Sequence, residues 1–575
     1  MNSYNRNYRV WLSSESLSPS EKEELVSIEA NEDEIKHRFS TFLAFGTGGL
    51  RGIMKTGMNA MNTHTVAHAT QALSELVLLE NAAERGVVIA HDSRNNSRIF
   101  AEVSASVLAA NGIKTYIFDD LRPTPELSFA VRELHCIAGI NITASHNPKE
   151  YNGYKAYWED GAQLSPEQAS VVSAKMSELD VFLDVKRVPF SEGVQNGSIV
   201  LLGKEFDEKY LSAVLDQRVN PDVLQNADQF KVVYTPLHGA GTRLVPEALR
   251  RAGLRELYIV AEQEAPDGNF PTTPKPNPEY PQVFGPGEAI ANRVGSDLIL
   301  ATDPDADRVG VMARNAAGEF QTISGNQMGM LLLDYIITAY EESGGLPSDP
   351  YAVKTIVSTE LATKICAQHG VKLHNVLTGF KFIGEVIKNY EKEGYGSYLL
   401  GFEESYGYLK GTYARDKDAV STSLLIAEMA AYYKASGMTL IDALDALYAR
   451  YGYSFEKTEE LALDAIHGAE QIKVLMTKLR ENAPEEFAGS PVISIGDYMA
   501  EVFTDVRTGE KTPTGLPKSN VLYFKTKSGD VVVVRPSGTE PKIKFYYLLS
   551  GESRTVCEAK LDRAKAVIQG YTTAL

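Results

Sequence analysis

The sequence has 575 residues, of which 43% are hydrophobic and 23% are charged, the balance of a folded protein with more than one hydrophobic core. A formal net charge of −18 argues against a general binder of nucleic acid or of anionic membranes, but it allows one basic pocket for an anionic metabolite. The three cysteines form no metal pattern and no apolar run resembles a signal peptide or a membrane span, so we expect a cytoplasmic protein.

Three segments share one pattern, in which a β-branched strand, an amphipathic helix and a second strand follow one another. Each helix ends near a glycine that suits the left-handed residue after a helix C-terminus, namely Gly112, Gly253 and Gly370. A strand–helix–strand order predicts parallel strands joined by right-handed crossovers. The pattern indicates three similar mixed-sheet α/β domains, although chance similarity between short units would look the same.

The last part of the chain reads differently, with strands and turns followed by the helical VCEAKLDRAKAVIQGY. We expect a small α+β domain there. The predicted domains are 1–203, 204–318, 319–453 and 454–575, the first three of class α/β.

Two isolated cations follow glycine-bearing turns: Arg51 in GTGGLRG and Lys381 in TGFKFIG. Isolated basic side chains are usually solvated, so neither indicates a site by itself.

The segment TASHNP ends an apolar strand and pairs Ser145 with His146. A hydrolase would need G-x-S-x-G, but Thr143 and Asn147 stand at the glycine positions. In an extended segment Ser145 and His146 would point to opposite faces, so His146 would be a poor base for its neighbour and would instead face a ligand or hold the loop. The alternative is a capped turn before Pro148.

The segment EAPDGNFPTTPKPNPEYP, residues 264–281, is rich in Pro and Gly and is predicted to be a loop. It is either part of a substrate rim or only a connector.

The segment ATDPDADR follows an apolar strand and carries Asp303, Asp305 and Asp307. Three carboxylates so close repel one another unless a cation lies among them, and oxygen ligands favour Mg²⁺, Mn²⁺ or Ca²⁺. An EF-hand is excluded because Arg308 and Arg314 replace its Gly and its Glu. Arg308 also offers a charge to a phosphate. The alternative is a solvated acidic turn.

Two later loops carry polar groups at strand ends. In GFEESYGY, Glu403 and Ser405 would face the same way and bind neighbouring sugar hydroxyls, or the segment is a surface loop. In RPSGTEPKIKF, a strand leads to a glycine turn, a composition that suits a phosphate dianion, or the segment is an ordinary hairpin. The groups concerned are Arg535, Ser537, Gly538, Thr539, Lys542 and Lys544.

TASHNP, DPDADR, EES and RPSGTEP, in this order, together resemble the α-D-phosphohexomutase superfamily and within it the phosphoglucomutase branch of bacterial phospho-sugar mutases. The resemblance runs from GTGGLRG to RPSGTEPKIKF, and four loops in order are far more specific than one. It implies three similar α/β domains and a fourth, TBP-like α+β domain around a central cleft. One departure is Phe402, where related GEES loops carry Gly.

The resemblance also implies residue roles. Ser145 would carry a phosphoryl group and, as phosphoserine, would join Asp303, Asp305 and Asp307 around one Mg²⁺. The residues near the reacting phosphate or in proton transfer would be Arg51, His146, Lys155 and Lys381. Substrate would be held by Arg308, Glu403, Ser405, Arg535, Ser537, Gly538, Thr539 and Lys544.

The implied reaction is a 1,6 phosphoryl shift that interconverts glucose 1-phosphate and glucose 6-phosphate, with glucose 1,6-bisphosphate as intermediate and activator. Alternatives on the same loops are a phosphopentomutase, a phosphomannomutase and a glucose 1,6-bisphosphate synthase. A binding protein without activity would be expected to lack Ser145 or one of the aspartates, and all are present. The expected partner is a small-molecule sugar phosphate, with no nucleic acid and no membrane, for a monomer or a dimer.

Overall fold

A computed structural model describes residues 2–46, 48–463, 467–537 and 542–573. The chain divides into two compact units. The first contains residues 1–324, 384–394 and 406–439, and the second contains residues 325–383, 395–405 and 440–575. Within the described ranges no helix has the length and apolar character needed to cross a membrane.

The first unit begins with three helices that have their own apolar core. They are α1 (Ser3–Ser13), α2 (Pro19–Ser27) and α3 (Glu32–Phe39). Ser18 caps α2 by accepting from Glu21 N, and the Glu21 side chain bonds back to Ser18 N, which fixes the start of that helix. Trp11 and Phe39 lie in the buried core between these helices.

A six-stranded mixed sheet follows, in the order β1-β5-β4-β2-β3-β6. Its elements are β1 (Gly49–Ile53), α4 (Thr63–Leu79), β2 (Val87–His91), α5 (Ser97–Ala110), β3 (Thr115–Phe118), α6 (Thr124–Glu133), β4 (Ala138–Ile142), β5 (Tyr151–Trp158), α7 (Pro166–Glu178), α8 (Phe190–Asn196) and β6 (Ile199–Leu202). Every residue of β2 and β4 is buried, as expected for central strands covered by helices on both faces.

A second mixed sheet in the same unit has the order β11-β10-β9-β7-β8. Its elements are α9 (Lys204–Leu215), β7 (Lys231–Thr235), α10 (Gly241–Arg251), β8 (Glu256–Ile259), α11 (Ala261–Glu264), a 3₁₀ turn (Pro281–Phe284), α12 (Gly285–Val294), β9 (Leu298–Thr302), β10 (Val309–Arg314) and β11 (Phe320–Ile323). The segment 265–280 is irregular, as predicted for this loop.

The third sheet contributes three parallel strands to the second unit, in the order β13-β12-β14. The elements of this part of the chain are α13 (Gly325–Glu342), β12 (Pro350–Thr355), α14 (Leu361–His369), β13 (Lys372–Val376), α15 (Phe380–Glu393), β14 (Ser397–Glu403), β15 (Gly407–Leu409), α16 (Ala419–Ala435) and α17 (Leu440–Tyr451).

The C-terminal part of the second unit is a sheet-rich layer with the main order β16-β23-β22-β21-β18-β19-β20, and β17 pairs with β18. Its elements are β16 (Tyr453–Ala462), α18 (Gly468–Glu481), β17 (Glu486–Phe487), β18 (Ser490–Asp497), β19 (Val502–Asp505), β20 (Lys511–Pro513), β21 (Leu522–Thr526), β22 (Val531–Pro536), β23 (Lys542–Gly551) and α19 (Arg554–Thr572). The predicted α+β architecture is confirmed.

The second unit also contains an apolar cluster that its third and fourth sheets share. Ile356 and Val357, which follow β12, pack in one buried cluster with Val533 and Leu548 of the fourth sheet. On the opposite face of β23, Leu549 lies in a separate cluster with residues of α18 and α19.

The three repeated segments form the predicted parallel pairs, β2 with β3, β7 with β8 and β12 with β13. The glycines that follow the three helices have φ angles of +72° at Gly112, +104° at Gly253 and +67° at Gly370. These are left-handed angles that side-chain-bearing residues rarely adopt, so the glycines end the helices as predicted.

Candidate active site

Ser145 lies in the loop between β4 and β5, in a left-handed backbone conformation with a φ of +52°. Its amide donates to Thr143 Oγ1 at 2.8 Å, which stabilises this turn. Its hydroxyl donates to Asp303 Oδ2 at 2.8 Å and lies 3.1 Å from His146 Nδ1. The expectation that Ser145 and His146 point to opposite faces was wrong, because the left-handed residue breaks the strand alternation.

The three aspartates predicted to bind a metal come together directly after β9. Carboxylate oxygens of Asp303, Asp305 and Asp307 lie within 4.8 Å of one another, and all three residues are buried. Ala306 has a φ of +50°, which turns the chain back so that Asp307 N and Arg308 N donate to Asp303 Oδ1 at 3.1 and 3.0 Å. The predicted cluster is therefore formed by one tight turn.

Two oxygens of this cluster suit a hard cation. Asp305 Oδ1 and Asp307 Oδ1 are buried and make no hydrogen bond with any described residue. Buried carboxylate oxygens without a donor are costly, and an oxygen-coordinated cation would satisfy them. The three carboxylates thus form a group able to hold a metal ion.

The electrostatics of the cluster are those of crowded buried carboxylates. Burial raises the pKa of Asp303 well above its usual range, and the charges of Asp305 and Asp307 raise it further. Burial alone would also raise the pKa of Asp305, but Lys155 holds that pKa below its ordinary value. Lys155 Nζ lies 2.8 Å from Asp305 Oδ2 and 3.6 Å from Asp307 Oδ2. These carboxylates raise the pKa of Lys155 although its burial acts in the opposite direction.

Two residues that the motifs did not single out hold Asp305 in place. Thr124, at the start of α6, donates its hydroxyl to Asp305 Oδ2 at 2.7 Å and its amide to Asp305 O at 2.8 Å. Asn141, in β4, donates to Thr124 Oγ1 at 2.6 Å. The sequence does not indicate that either residue belongs to the site, because Thr124 is recognisable there only as the first residue of a helix.

Lys417 is a second buried cation at the cluster. Its ammonium lies 3.2 Å from Asp307 Oδ2 and 2.9 Å from Asp416 Oδ1. Tyr157 donates to the other oxygen of Asp416 at 2.8 Å. Residues 415–418 read RDKD, which does not by itself indicate a site, and the contact with Asp307 is what places Lys417 at the cluster.

Arg51, His146 and Arg308 lie in the same unit as Ser145. Arg51 Nη1 donates to Asn147 Oδ1 in the Ser145 loop at 3.2 Å. Arg308 donates to Glu279 Oε1 at 2.8 Å. Burial lowers the pKa of His146 well below its usual range, and the charges of Arg308 and Arg51 lower it further, so His146 is neutral at pH 7.

In the second unit, Glu403 ends β14 and accepts from Gly379 N at 2.8 Å. Gly379 has a φ of +118° and begins the turn that leads to Lys381, as predicted. Ser405 follows two residues after Glu403. Phe402, which departs from the family pattern, is buried in the apolar core: a Cβ at Gly329 of α13 would lie 2.4 Å from its ring.

The predicted phosphate loop lies between β22 and β23. Arg535 donates to Tyr546 Oη at 3.3 Å, and Ser537 N donates to Lys542 O at 2.8 Å. Lys544 Nζ lies 2.9 Å from Glu460 Oε1 on the neighbouring strand β16. The predicted phosphate-binding residues Gly538 and Thr539 lie outside the described residues.

The fold and this site define an α/β protein in which a serine hydroxyl lies against a buried cluster of three carboxylates. Family models of phosphoglucomutase/phosphomannomutase α/β/α domains I, II and III match residues 43–181, 208–318 and 324–451. The chain therefore belongs to the phosphoglucomutase/phosphomannomutase family, whose members are isomerases that transfer a phosphoryl group within the substrate.

Individual relatives agree with the family match. The chain is 37% identical to a phosphoglucomutase of Staphylococcus saprophyticus over 522 aligned residues. The alignment covers 91% of this chain and 93% of the relative. It is 36% identical over 516 residues to a phosphoglucomutase of Staphylococcus aureus strain USA300, and this alignment covers 90% of this chain and 91% of the relative.

Solved structures share the fold. The phosphoglucomutase parafusin of Paramecium has a TM-score of 0.69 at 17% identity, with 92% of this chain and 96% of that chain covered. A phosphoglucomutase/phosphomannomutase family protein of Burkholderia thailandensis has a TM-score of 0.66 at 18% identity, with 92% of this chain and 97% of that chain covered.

Proposed function

We propose that the protein is a phosphoglucomutase that interconverts glucose 1-phosphate and glucose 6-phosphate through a phosphorylated Ser145. The observation that carries the proposal is the hydrogen bond of 2.8 Å between Ser145 Oγ and Asp303 in a buried cluster of three carboxylates. The staphylococcal relatives named phosphoglucomutase support glucose phosphate as the substrate. The protein would act on this small molecule in the cytoplasm.

The reaction is a double phosphoryl transfer. The free 6-hydroxyl of glucose 1-phosphate attacks the phosphorus of phosphoserine, the bond between Ser145 Oγ and phosphorus breaks, and the hydroxyl proton passes to a base. The glucose 1,6-bisphosphate that results turns over and returns its 1-phosphate to Ser145, which leaves glucose 6-phosphate. The serine ends phosphorylated as it began, and no external phosphate donor is consumed.

A Mg²⁺ bound by Asp303, Asp305, Asp307 and the phosphoserine would supply neutralisation of the charge that develops on the phosphoryl group. Lys155 is our candidate proton carrier. Its ammonium form, which the neighbouring carboxylates favour, would donate a proton to the departing Ser145 Oγ, and the amine that results would accept the proton of the sugar hydroxyl. Its ammonium already lies against two of the carboxylates at 2.8 and 3.6 Å.

Three further residues would surround the reacting phosphate from the same unit. Arg51 and Arg308 offer guanidinium donors, which bind phosphate oxygens well. His146 is neutral at pH 7 because burial lowers its pKa, so it would accept or donate a hydrogen bond without adding charge.

Further residues would bind the rest of the substrate. Glu403 and Ser405 would bind sugar hydroxyls, and Lys381 would contribute a cation to the reacting phosphate. The phosphate that does not react would be held by Arg535, Ser537, Gly538, Thr539 and Lys544. In this scheme the four domains 1–203, 204–318, 319–453 and 454–575 would contribute the phosphoserine, metal, sugar and phosphate loops in that order.

The proposal is tested by measuring kcat/KM on glucose 1-phosphate, mannose 1-phosphate and ribose 1-phosphate with Mg²⁺ and catalytic glucose 1,6-bisphosphate. We expect a preference for glucose 1-phosphate. Ser145→Ala should reduce kcat more than about a thousandfold, because the group that carries the phosphate is removed. Ser177→Ala, at an exposed helix position, is the matched control and should leave kcat unchanged.

A preference for ribose 1-phosphate would keep the mechanism and move the protein to the phosphopentomutase alternative. A preference for mannose 1-phosphate would do the same for a phosphomannomutase. No turnover of any of the three, or full activity of Ser145→Ala, would overturn the mutase proposal.

A further inference from the structure

Arg94 is a buried arginine beneath the Ser145 loop, and the proposed function does not use it. It follows β2 and is only 3% exposed. Its guanidinium donates to the carbonyl of Ser145 at 2.5 Å, to the carbonyl of Asn147, and to those of Pro148 and Tyr151 at 2.9 and 3.1 Å. One side chain thus binds three carbonyls of the loop that carries Ser145 and the carbonyl of the first residue of β5.

Arg94 is itself held by a buried carboxylate. Arg94 Nε lies 3.3 Å from Asp92 Oδ2, and the Arg94 amide donates to Asp92 Oδ1 at 2.9 Å. Asp92 Oδ2 also accepts from Thr143 Oγ1 at 2.6 Å, and Thr143 Oγ1 accepts from the amide of Ser145. Both the amide and the carbonyl of Ser145 are therefore tied to the pair of Asp92 and Arg94, which maintains the left-handed backbone angle.

The loop of residues 265–280, which lies in the part of the chain that forms the second sheet, packs against the Arg94 side chain. Phe270 stacks on the guanidinium, with the carbon Cζ 5.1 Å from the ring centroid, and is only 1% exposed. The backbone approaches closely here, since a Cβ at Gly268 would lie 2.3 Å from Asn95 N. The proline-rich loop therefore packs directly against the side chain that binds the Ser145 loop.

We propose that Arg94 is a positioning residue for phosphoryl transfer and that Phe270 fixes its guanidinium. The pair holds Ser145 Oγ at the carboxylate cluster, and this role rests on the proposed function. A guanidinium has several donors in a rigid plane, which lets one side chain orient several carbonyls, and a lysine has no such geometry. A stacked aromatic ring removes water and strengthens the interaction with the cation.

The test measures kcat and KM for glucose 1-phosphate, and the rate at which glucose 1,6-bisphosphate phosphorylates Ser145, followed by intact mass. Phe270→Leu should lower kcat and the phosphorylation rate on the order of tenfold, since small misplacements of reacting groups cost large factors in rate. KM should change less than about twofold, because the residues proposed to bind the sugar and the distal phosphate are untouched. Arg94→Lys should lower kcat on the order of a hundredfold.

Phe284→Leu is the matched control, because Phe284 is also 1% exposed but packs in the apolar core of the second sheet. It should lower the unfolding temperature about as much as Phe270→Leu and leave kcat unchanged. Equal losses of kcat in the two leucine variants would mean a merely structural role and would overturn the proposal. Full activity of a folded Arg94→Lys would do the same.

The two proposals fail in different ways. If the wild-type protein neither turns over glucose 1-phosphate nor becomes phosphorylated on Ser145, the proposed function is wrong and the positioning role falls with it. If the wild-type protein does both and the Phe270 and Arg94 variants match it, only the positioning role is wrong.

Discussion

Glu404 is a half-buried carboxyl group between two residues of the proposed sugar-binding loop. Thr355 Oγ1 donates to Glu404 Oε2 at 3.0 Å. Burial raises the pKa of Glu404 to about 7, and the neighbouring charge of Glu403 adds to the rise, while Arg535 acts in the opposite direction. A folded-state pKa above the unfolded value of 4.5 means that the folded protein binds the extra proton between those two pH values.

The sign of the pH effect follows from this. The free energy of unfolding falls as pH rises through the window from 4.5 to about 7, because the folded state must give up a proton that the unfolded state has already lost. Glu404→Gln cannot ionise, so it should remove about 2 kcal/mol of this pH dependence. Urea unfolding at pH 5 and pH 8 measures the difference, with the exposed Glu552→Gln as control. Equal pH dependence in Glu404→Gln and wild type would contradict the prediction.

At the residue scale, the sequence shows which residues are candidates for the site, but it does not show which atoms contact one another. The alternation of Asp303, Asp305 and Asp307 indicates a cation site because like charges so close need one, and the cluster has the expected form. The relation of Ser145 to His146 was predicted wrongly, because a positive φ at a serine leaves no mark in the sequence. Arg94 was missed for a related reason: its partners are backbone carbonyls 51 or more positions away.

At the scale of elements, the turn between β7 and α10 supports the loop of Asp303, Asp305 and Asp307, which is the proposed metal loop. A Cβ at Gly239 would lie 2.5 Å from Pro304 Cα, and Ala240 N donates to Pro304 O at 2.7 Å. Pro304 separates Asp303 from Asp305, so this turn fixes the spacing of two carboxylates.

Gly239→Ala should therefore displace the metal loop. We expect a loss of about 1–3 kcal/mol in the free energy of unfolding, typical of overpacking against backbone. The Mg²⁺ concentration for half-maximal activity should also rise several-fold. Gly285→Ala is the control, because nothing lies within 4 Å of a Cβ there. An unchanged Mg²⁺ requirement in Gly239→Ala would show that the turn does not position the carboxylates.

The elements themselves were largely predictable. Buried β-branched strands, amphipathic helices and glycines at helix ends are local features, and the parallel pairs β2–β3, β7–β8 and β12–β13 followed from them. The antiparallel neighbours, such as β5 beside β4, were not predicted, because strand order within a sheet depends on contacts distant in sequence.

At the scale of the whole molecule, the third and fourth sheets of the second unit share the cluster that contains Ile356, Val357, Val533 and Leu548. We expect these two sheets to unfold together, since neither can bury that surface alone. The sequence predicted a distinct C-terminal fold but gave no sign of this shared core.

Leu548→Ala tests the coupling. It should cost about 2–5 kcal/mol and increase amide hydrogen exchange in the segment of Ile356 and Val357 as well as in β23. Leu549→Ala, one residue along the strand on the opposite face, should cost a similar amount without a local change at Ile356. Identical exchange patterns in the two variants would argue against a shared core.

The left-handed backbone at Ser145 also restricts what evolution can place there. Serine tolerates a φ of +52° at moderate cost, but a β-branched residue does so very rarely. Threonine offers the same hydroxyl to phosphate and differs by one methyl group, so chemistry alone would let the two exchange. The geometry of the turn strongly disfavours this exchange, so we expect that replacing the proposed phosphate-carrying serine by threonine would require changes in the loop and in its contacts with Asp92 and Arg94.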